Sequence, residues 1–206
     1  RVTIPAGKNA VSDALKCHIK AQRTFNVSFY LEDFTQMRSV VFTKGPMSVG
    51  SYALGNQTKT VLFDMWKSRT THYFYFLSNV SVYTAKKNRT VVCYGDSITA
   101  QDWPDYLAMR CYGEGYNKTA IIRRATSGSR ILRQYECLTY ESYGLSGSNR
   151  FTHEVPTDGA DTVIIQQGIN DIIHPVGEEK NVFRPMSDLP TVEELIDGLK
   201  TYIAQA

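Results

Sequence analysis

The hydrophobic positions of residues 1–86 mostly follow the two-residue period of β-strands. In the segment 25–31, Val27, Phe29 and Leu31 occupy alternate positions, so their side chains are expected on one face of a strand. Clusters of Gly, Pro, Asn and Ser separate this segment from other runs rich in β-branched and aromatic residues. Those runs cover 2–4, 39–43, 60–63 and 72–84. The pattern predicts an antiparallel β-sandwich or partial jelly roll, with its first strands expected before residue 1.

A polar linker at 85–89 precedes a change in the hydrophobic pattern. Short apolar runs then alternate with stretches of helical character, and the apolar runs are predicted to be strands. These runs cover 89–95, 119–124 and 161–168. Strands that alternate with helices form a parallel sheet with helices on both faces. Residues 87–206 are therefore predicted to be a doubly wound, flavodoxin-like α/β domain, and residues 1–86 the β-rich domain in front of it.

Two helices are predicted in the first part of the α/β domain. The segment 102–113 has Asp102 as a suitable N-cap, Pro104 in its first turn and Gly113 as a suitable stop. The stretch 129–134 is predicted to be a second, shorter helix.

The segment 191–206 has the clearest helical pattern. Thr191 and Glu194 are spaced as a capping box, and the apolar residues after them form a stripe at helical spacing. That stripe consists of Val192, Leu195, Ile196, Leu199 and Ile203. Residues 135–160, which are rich in Tyr, Gly and Ser, are predicted to be a long loop.

Composition and charge narrow the classes of function. Apolar residues make up 42% of the chain and aromatic residues 12%, which is sufficient for a folded core. The formal charge of +3 arises from scattered Lys and Arg, so no nucleic-acid partner is predicted. No apolar stretch approaches the roughly 18 residues that span a bilayer, so no membrane partner is predicted either.

The four cysteines, Cys17, Cys93, Cys111 and Cys137, are widely spaced and follow no zinc-binding pattern. They are expected to be buried free thiols, with one disulfide as the alternative. No cluster of ligands for a metal or an organic cofactor is recognisable, so the chemistry is expected to need neither.

Small and polar residues follow each predicted parallel strand. Ser97 follows the first strand, Gly128 the second and Asn170 the third. In an open parallel sheet, ligands bind beyond the carboxyl ends of the strands, so these three residues are expected to meet at one edge. Each motif alone is typical of a turn or loop, and their combination at successive strand ends is what indicates a site.

The three residues have the chemistry that acyl transfer needs. Ser97, expected just past a strand and at the start of a helix, supplies a hydroxyl nucleophile and an outward N–H. Gly128 permits close approach and offers a second N–H, and the Asn170 carboxamide is a third donor to an oxyanion. Loss of one such donor typically costs about 2.7–4 kcal/mol of transition-state stabilisation.

Three blocks of the sequence resemble the first three blocks of the SGNH, or GDSL-type, esterase and lipase superfamily. These blocks are CYGDSIT, RRATSGSRIL and QQGIND. The chain is most similar to a bacterial subgroup with a leading β-rich domain, because VTIPAG, VSD and VSFYL resemble that domain and WPDYLAMR and NRFTHEV resemble the hydrolase half. The resemblance implies Ser97 as nucleophile, Gly128 and Asn170 as oxyanion donors, and a local structural role for Asp96. It leaves the compartment open between bacterial cytoplasm and secretion.

The fourth block of that superfamily, an Asp-x-x-His that supplies the catalytic base, has no counterpart here. Asp171 and His174 have this spacing, but Asp171 belongs to the third block, so the match is interpreted as a coincidence, with His174 at the rim of the pocket as an open alternative. His18 and His72 are expected to be surface or packing residues, and His153 a solvated one, with a substrate-facing role for His153 as the open alternative. The full-length protein is therefore expected to be an esterase, and this chain a fragment of it that is inactive or nearly inactive by itself.

The predicted function is hydrolysis of short acyl esters, including acetylated carbohydrate, through an acyl-enzyme on Ser97. Four aromatic residues of the predicted loop are candidates for stacking on sugar rings or for packing the loop down. These are Tyr135, Tyr140, Tyr143 and Phe151. The alternative functions are a carbohydrate-binding module on a hydrolase-like scaffold, and a β-rich half that only packs on the hydrolase half and shapes its cleft.

Overall fold

A computed structural model describes residues 2–5, 7–33, 40–61, 68–84, 88–135, 143–155, 159–178 and 184–206. The strands within these ranges are β1 (Val41–Phe42), β2 (Gly50–Ala53), β3 (Ser68–Thr71), β4 (Tyr73–Phe74), β5 (Arg89–Gly95), β6 (Thr119–Ala125) and β7 (Thr162–Gln166). The helices are α1 (Trp103–Gly113), α2 (Gly147–Glu154), α3 (Ile169–Val176) and α4 (Val192–Gln205), and a 3-10 helix covers Met186–Asp188.

Strand β5 is the centre of a three-stranded parallel sheet with the order β6-β5-β7. Val91 of β5 lies opposite Ile121 of β6 and Thr162 of β7. Val92 and Tyr94 are fully buried, because a central parallel strand is covered on both faces and is therefore apolar throughout. The protein is a mixed α/β protein with a parallel sheet flanked by helices, and the three strands predicted within residues 87–206 are confirmed.

The hydrophobic core joins this sheet to α2 and α4. The rings of Tyr94 in β5 and Phe151 in α2 meet edge to face with centroids 5.1 Å apart. Phe151 stacks on Tyr202 of α4 at 4.8 Å, and all three side chains are fully buried together with Ile131. Aromatic pairs of this kind add about 0.5–1.5 kcal/mol beyond the burial of their surface, so they anchor both helices to the sheet.

The sequence signals for α1 are confirmed at both ends. Asp102 occupies the N-cap position, Pro104 lies in the first turn and Gly113 is the last helical residue. The Asp102 side chain makes no capping hydrogen bond, so the start of the helix depends on Pro104, whose fixed φ suits a first turn.

The capping box of α4 is confirmed. The Glu194 amide donates to Thr191 Oγ1 at 3.1 Å, and the Thr191 amide donates to Glu194 Oε2 at 2.8 Å. These two bonds satisfy donors that a helix N-terminus otherwise leaves unpaired.

The apolar stripe of α4 is not its buried face. Val192 and Ile203 are 68% and 70% exposed, whereas Gly198 and Tyr202 are buried. A Cβ on Gly198 would lie 2.7 Å from the Leu132 side chain. The helix therefore packs on the protein through Gly198 and Tyr202. The spacing of apolar residues does not identify these two as the buried positions.

The short helix predicted at 129–134 is wrong, since this segment contains no helix. The Ile131 amide donates to Asp171 Oδ2 at 2.7 Å, and the Leu132 amide donates to Asp171 Oδ1 at 3.2 Å. The buried carboxylate of Asp171 in α3 therefore accepts hydrogen bonds from two amides that, in an α-helix, would donate to backbone carbonyls of the same helix.

The long loop predicted at 135–160 is partly wrong, because α2 lies within it. Gly147, Ser148 and Asn149 are weak helix formers, so the sequence at the start of α2 resembles a loop. The helix buries Arg150 and Phe151, and tertiary packing outweighs local propensity. Helix α3, at the third block, was also not predicted.

The β-rich half contains two small antiparallel sheets among its described residues, β1 with β4 and β2 with β3. Only part of the run 39–43 and part of the run 72–84 form strands, and the strands predicted at 2–4 and 25–31 are wrong. Phe29 is half exposed, since alternation alone forms no strand without a hydrogen-bonded partner. The run at 60–63 lies partly outside the described residues, and the sandwich stays a prediction.

Three cysteines are described, and all three are free thiols. Cys93 is buried in β5, Cys111 is half-buried and Cys17 is exposed, so the expectation of burial is wrong for Cys17. Cys137 lies outside the described residues. Within the described ranges, every helix is too short or too polar to cross a bilayer.

Candidate functional site

Ser97 lies in the turn that follows β5. The turn covers 97–100, and α1 begins only at Trp103, so the expectation that Ser97 starts a helix is wrong and a helix dipole does not act on it. Ser97 is half-buried. Its hydroxyl and its amide have no hydrogen-bond partner among the described residues, so both are available to a ligand.

Asp96 stabilises this turn by accepting hydrogen bonds from its backbone. The Ile98 amide donates to Asp96 Oδ1 at 3.0 Å, and the Ala100 amide donates to the Asp96 carbonyl at 2.9 Å. Asp96 is fully buried, and Oδ2 has no partner among the described residues. Burial raises the pKa of this carboxyl, against the hydrogen bond from Ile98. These contacts agree with a local structural role.

Gly128 occupies the turn after β6 with a φ of +78°, a conformation that favours glycine. A Cβ at this position would lie 2.4 Å from the ring of Tyr143, so the ring packs directly on the glycine. The Gly128 amide has no hydrogen-bond partner within the described part of the chain. Neither of the two amides that were predicted to bind an oxyanion therefore has an acceptor among the described residues.

Asn170 is buried in the first turn of α3. Its Nδ2 donates to the Ser129 carbonyl at 2.9 Å, which fixes the carboxamide beside the residue that follows Gly128. One N–H of the carboxamide is used in this bond, and the second remains available for a ligand.

Hydrogen bonds join the ends of the three strands. The Thr126 amide donates to the Gly95 carbonyl at 3.1 Å. Arg150 Nη2 lies 3.2 Å from that carbonyl and 3.3 Å from Ser129 Oγ, and Gln167 Nε2 donates to Ser129 Oγ at 2.9 Å. The neighbours of all three predicted site residues therefore belong to one network at the carboxyl edge of the sheet.

His174 is buried in α3. Its Nδ1 is hydrogen-bonded to the Tyr135 hydroxyl, and its ring stacks on Tyr143 with centroids 6.1 Å apart. Burial, with a smaller contribution from the charge of Arg130, lowers the pKa of His174 to about 4. The imidazole is therefore neutral near pH 7.

Asp171 does not orient His174 as the acid of a catalytic pair would. Both of its carboxylate oxygens accept backbone amides, those of Ile131 and Leu132. Burial raises the pKa of this carboxyl, and the two amide bonds oppose that effect. The interpretation of the Asp-x-x-His spacing as a coincidence is consistent with these contacts. His18, His72 and His153 are exposed.

The aromatic residues proposed for sugar stacking have different environments. Tyr135 and Phe151 are buried, so they pack the protein and cannot face a sugar. Tyr143 is half-buried and meets Tyr135 edge to face at 5.2 Å. Tyr140 lies outside the described residues.

A surface depression of about 500 Å³ lies elsewhere, between α2 and α4. It is lined by Leu132, Ser148, Glu194 and Gly198, among others, and none of the predicted site residues borders it. The described residues contain no group of His, Cys, Asp and Glu that could hold a metal ion.

Arg150 and Gln167 were missed by sequence reasoning. Arg150 lies in the segment that was predicted to be a loop, where an arginine is ordinarily solvated. Gln167 precedes the Gly of the third block, and its position directly after β7 was the only available signal.

These features define an α/β protein whose parallel sheet has at its carboxyl edge a serine hydroxyl, two main-chain amides without an acceptor in the described part of the chain, and an anchored carboxamide. No family model matches the chain. No curated protein matches it either.

Proposed function

We propose that the protein is a serine ester hydrolase of the SGNH type. The proposal rests on the hydrogen bonding of the three groups that were predicted to donate to an oxyanion. The amides of Ser97 and Gly128 have no acceptor among the described residues, and Asn170 Nδ2 donates to the carbonyl of the residue after Gly128. Main-chain amides that are open to a ligand, at strand ends joined by hydrogen bonds, are donors of the kind that stabilise an oxyanion.

The proposed reaction proceeds in two halves. Ser97 Oγ attacks the ester carbonyl carbon while a base takes the hydroxyl proton, and the donors bind the oxygen that becomes negative. The bond to the alcohol then breaks, the alcohol receives the proton, and an acyl-enzyme remains. Water attacks the acyl-enzyme by the same route and releases the acid.

The base is the part of this mechanism that the described residues do not supply. The His174 ring nitrogen Nδ1 is engaged by Tyr135, and its carboxylate neighbour Asp171 is engaged by backbone amides. We therefore expect the 206-residue chain to hydrolyse esters slowly, with solvent water taking the proton of Ser97 and with the donors still stabilising the oxyanion.

The proposed substrate is a short acyl ester, either a small molecule or an acetylated carbohydrate. The Tyr143 ring packs on Gly128, which restricts the space beside this proposed oxyanion donor and favours a small acyl group. No metal or organic cofactor takes part in the proposed reaction. The proposed fold is the doubly wound, flavodoxin-like sheet of SGNH hydrolases, preceded by a β-sandwich domain at residues 1–86.

The β-rich half is proposed to support the catalytic half. The Lys44 amide donates to the Ala100 carbonyl at 3.0 Å, at the end of the turn that holds Ser97. The Met47 amide donates to Asp105 Oδ2 at 2.9 Å. These contacts favour a role in packing and in shaping the cleft over independent binding of glycans.

Labelling with a fluorophosphonate tests the proposal. Wild-type protein is expected to form an adduct on Ser97 that mass spectrometry of peptides locates, and Ser97→Ala is expected to form none. Ser51→Ala is the matched control, because Ser51 is an exposed serine of β2 that should affect neither labelling nor folding. Equal labelling of wild type and Ser97→Ala, or no adduct on Ser97, would refute the hydrolase and favour a carbohydrate-binding module.

A further inference from the structure

Arg150 of α2 directs a buried guanidinium at the ends of two strands. The residue is 6% exposed. Its Nη2 lies 3.2 Å from the carbonyl oxygen of Gly95, two residues before Ser97, and 3.3 Å from Ser129 Oγ, next to Gly128. One nitrogen with two N–H groups can donate to both acceptors at the same time. It thereby connects the two turns that hold the proposed nucleophile and the proposed oxyanion glycine.

The guanidinium is itself held in one orientation. Nη1 donates to Glu154 Oε2 at 2.9 Å, one helical turn away, and the carbon of the guanidinium lies 4.9 Å above the ring of Tyr94. A buried charge is stable only when it is paired and hydrogen-bonded; Glu154 pairs the charge and both terminal nitrogens are hydrogen-bonded, whereas Nε has no partner among the described residues. Because the guanidinium is planar and rigid, fixing Nη1 also fixes the direction of Nη2.

The Gly95 carbonyl receives two bonds, one from Arg150 and one from the Thr126 amide at 3.1 Å. A carbonyl oxygen accepts two hydrogen bonds, so both acceptor positions at the end of β5 are used to hold the end of β6. Displacement of the arginine would remove one of the two hydrogen bonds that the Gly95 carbonyl accepts, and with it the link from this carbonyl to Ser129 Oγ.

We infer that Arg150 is a positioning residue that sets the distance between the Ser97 turn and the Gly128 amide. This inference rests on the proposed function for its catalytic consequence. Its structural part, the connection between the ends of β5 and β6, can be measured without any activity.

The test compares Arg150→Lys with Glu154→Gln. Lysine keeps the positive charge, but its single ammonium cannot reach the Glu154 carboxylate and the two strand-end acceptors together. Glutamine at 154 retains an acceptor for Nη1 and leaves the Nη2 contacts in place. Amide hydrogen exchange, followed by NMR, is expected to become at least tenfold faster at Thr126 in Arg150→Lys and to change less than twofold in Glu154→Gln. Amides in the middle of β5, such as that of Val92, serve as the internal reference for global unfolding.

The second readout is steady-state hydrolysis of p-nitrophenyl acetate, corrected for the rate of Ser97→Ala. Arg150→Lys is expected to lower kcat at least tenfold with KM within twofold, because displaced donors affect the transition state more than substrate binding. Unchanged exchange at Thr126 in Arg150→Lys would overturn the inference. Faster exchange with an unaltered kcat would overturn its catalytic part. Equal rates for wild type and Ser97→Ala would instead refute the proposed function, and the exchange result would then decide the positioning role alone.

Discussion

Replacement of Gly128 by alanine tests the geometry of the candidate site most directly. The added Cβ would meet the Tyr143 ring at 2.4 Å, and the φ of +78° is one that alanine rarely adopts. The left-handed conformation costs an L-residue about 1–2 kcal/mol, and overpacking of a fitted contact adds about 1–3 kcal/mol. We therefore expect Gly128→Ala to lower the free energy of unfolding by about 2–5 kcal/mol.

Two other glycines separate the cost of the left-handed conformation from the cost of overpacking. Gly115 has a φ of +88° and open space where a Cβ would lie, and Gly113 has open space without a positive φ. Gly115→Ala should therefore cost only the conformational part, about 1–2 kcal/mol. Gly113→Ala should stabilise by about 0.4–1 kcal/mol, because alanine restricts the unfolded chain.

Urea denaturation followed by circular dichroism measures all three variants. With a denaturant slope of about 2 kcal/mol/M, a loss of 3 kcal/mol moves the midpoint by about 1.5 M. The double variant Gly128→Ala with Tyr143→Ala should recover the overpacking part relative to the sum of the single variants. If Gly128→Ala is no less stable than Gly115→Ala, the ring of Tyr143 does not pack on Gly128 and the description of this turn is wrong.

Three further predictions concern burial, titration and the carboxamide. Phe151→Ala should lower the free energy of unfolding by about 3–5 kcal/mol, measured by urea denaturation, and a loss below about 1 kcal/mol would contradict the aromatic core. The pKa of His174 is about 4 in the folded protein and about 6.5 unfolded, so the unfolded state binds more protons between these values. The contribution of His174 to the free energy of unfolding should therefore be fully present above pH 6.5 and fall by about 3 kcal/mol as the pH drops to 4. Subtraction of the same profile for His174→Gln isolates this effect. Parallel profiles for the two proteins would refute it. Asn170→Ala should lower kcat by about 10²–10³ if the carboxamide binds the oxyanion, whereas an unchanged rate of p-nitrophenyl acetate hydrolysis would remove Asn170 from the site.

The parallel sheet could be predicted because its signal is local. A central parallel strand has an apolar core, as residues 91–94 of β5 do, and shorter apolar segments lie within the runs at 119–124 and 161–168. The positions of Ser97, Gly128 and Asn170 after the strands follow from the same rule. Their exposure, their partners and their separation depend on side chains from distant segments, so the sequence pattern could not specify them.

The errors have a common physical origin, which is long-range contact. Asp171 lies 39 and 40 residues from the amides that it binds, and this contact replaces the helix that was predicted at 129–134. Alternation at 25–31 satisfies the local requirement for a strand, but a strand also needs a hydrogen-bonded neighbour. Helix α2 begins with weak helix formers and is stabilised by the burial of Phe151 against Tyr94 and Tyr202.

The cysteine in the central strand has a practical consequence. Burial raises the pKa of the Cys93 thiol to about 11, so only about one molecule in 10⁴ carries the reactive thiolate at pH 7, and the surrounding strands shield it. An alkylating reagent should therefore modify the exposed Cys17 within its normal reaction time and reach Cys93 only when the sheet separates. The rate at which Cys93 is alkylated, measured by the mass of the peptide that contains it, would therefore report how often the central sheet opens.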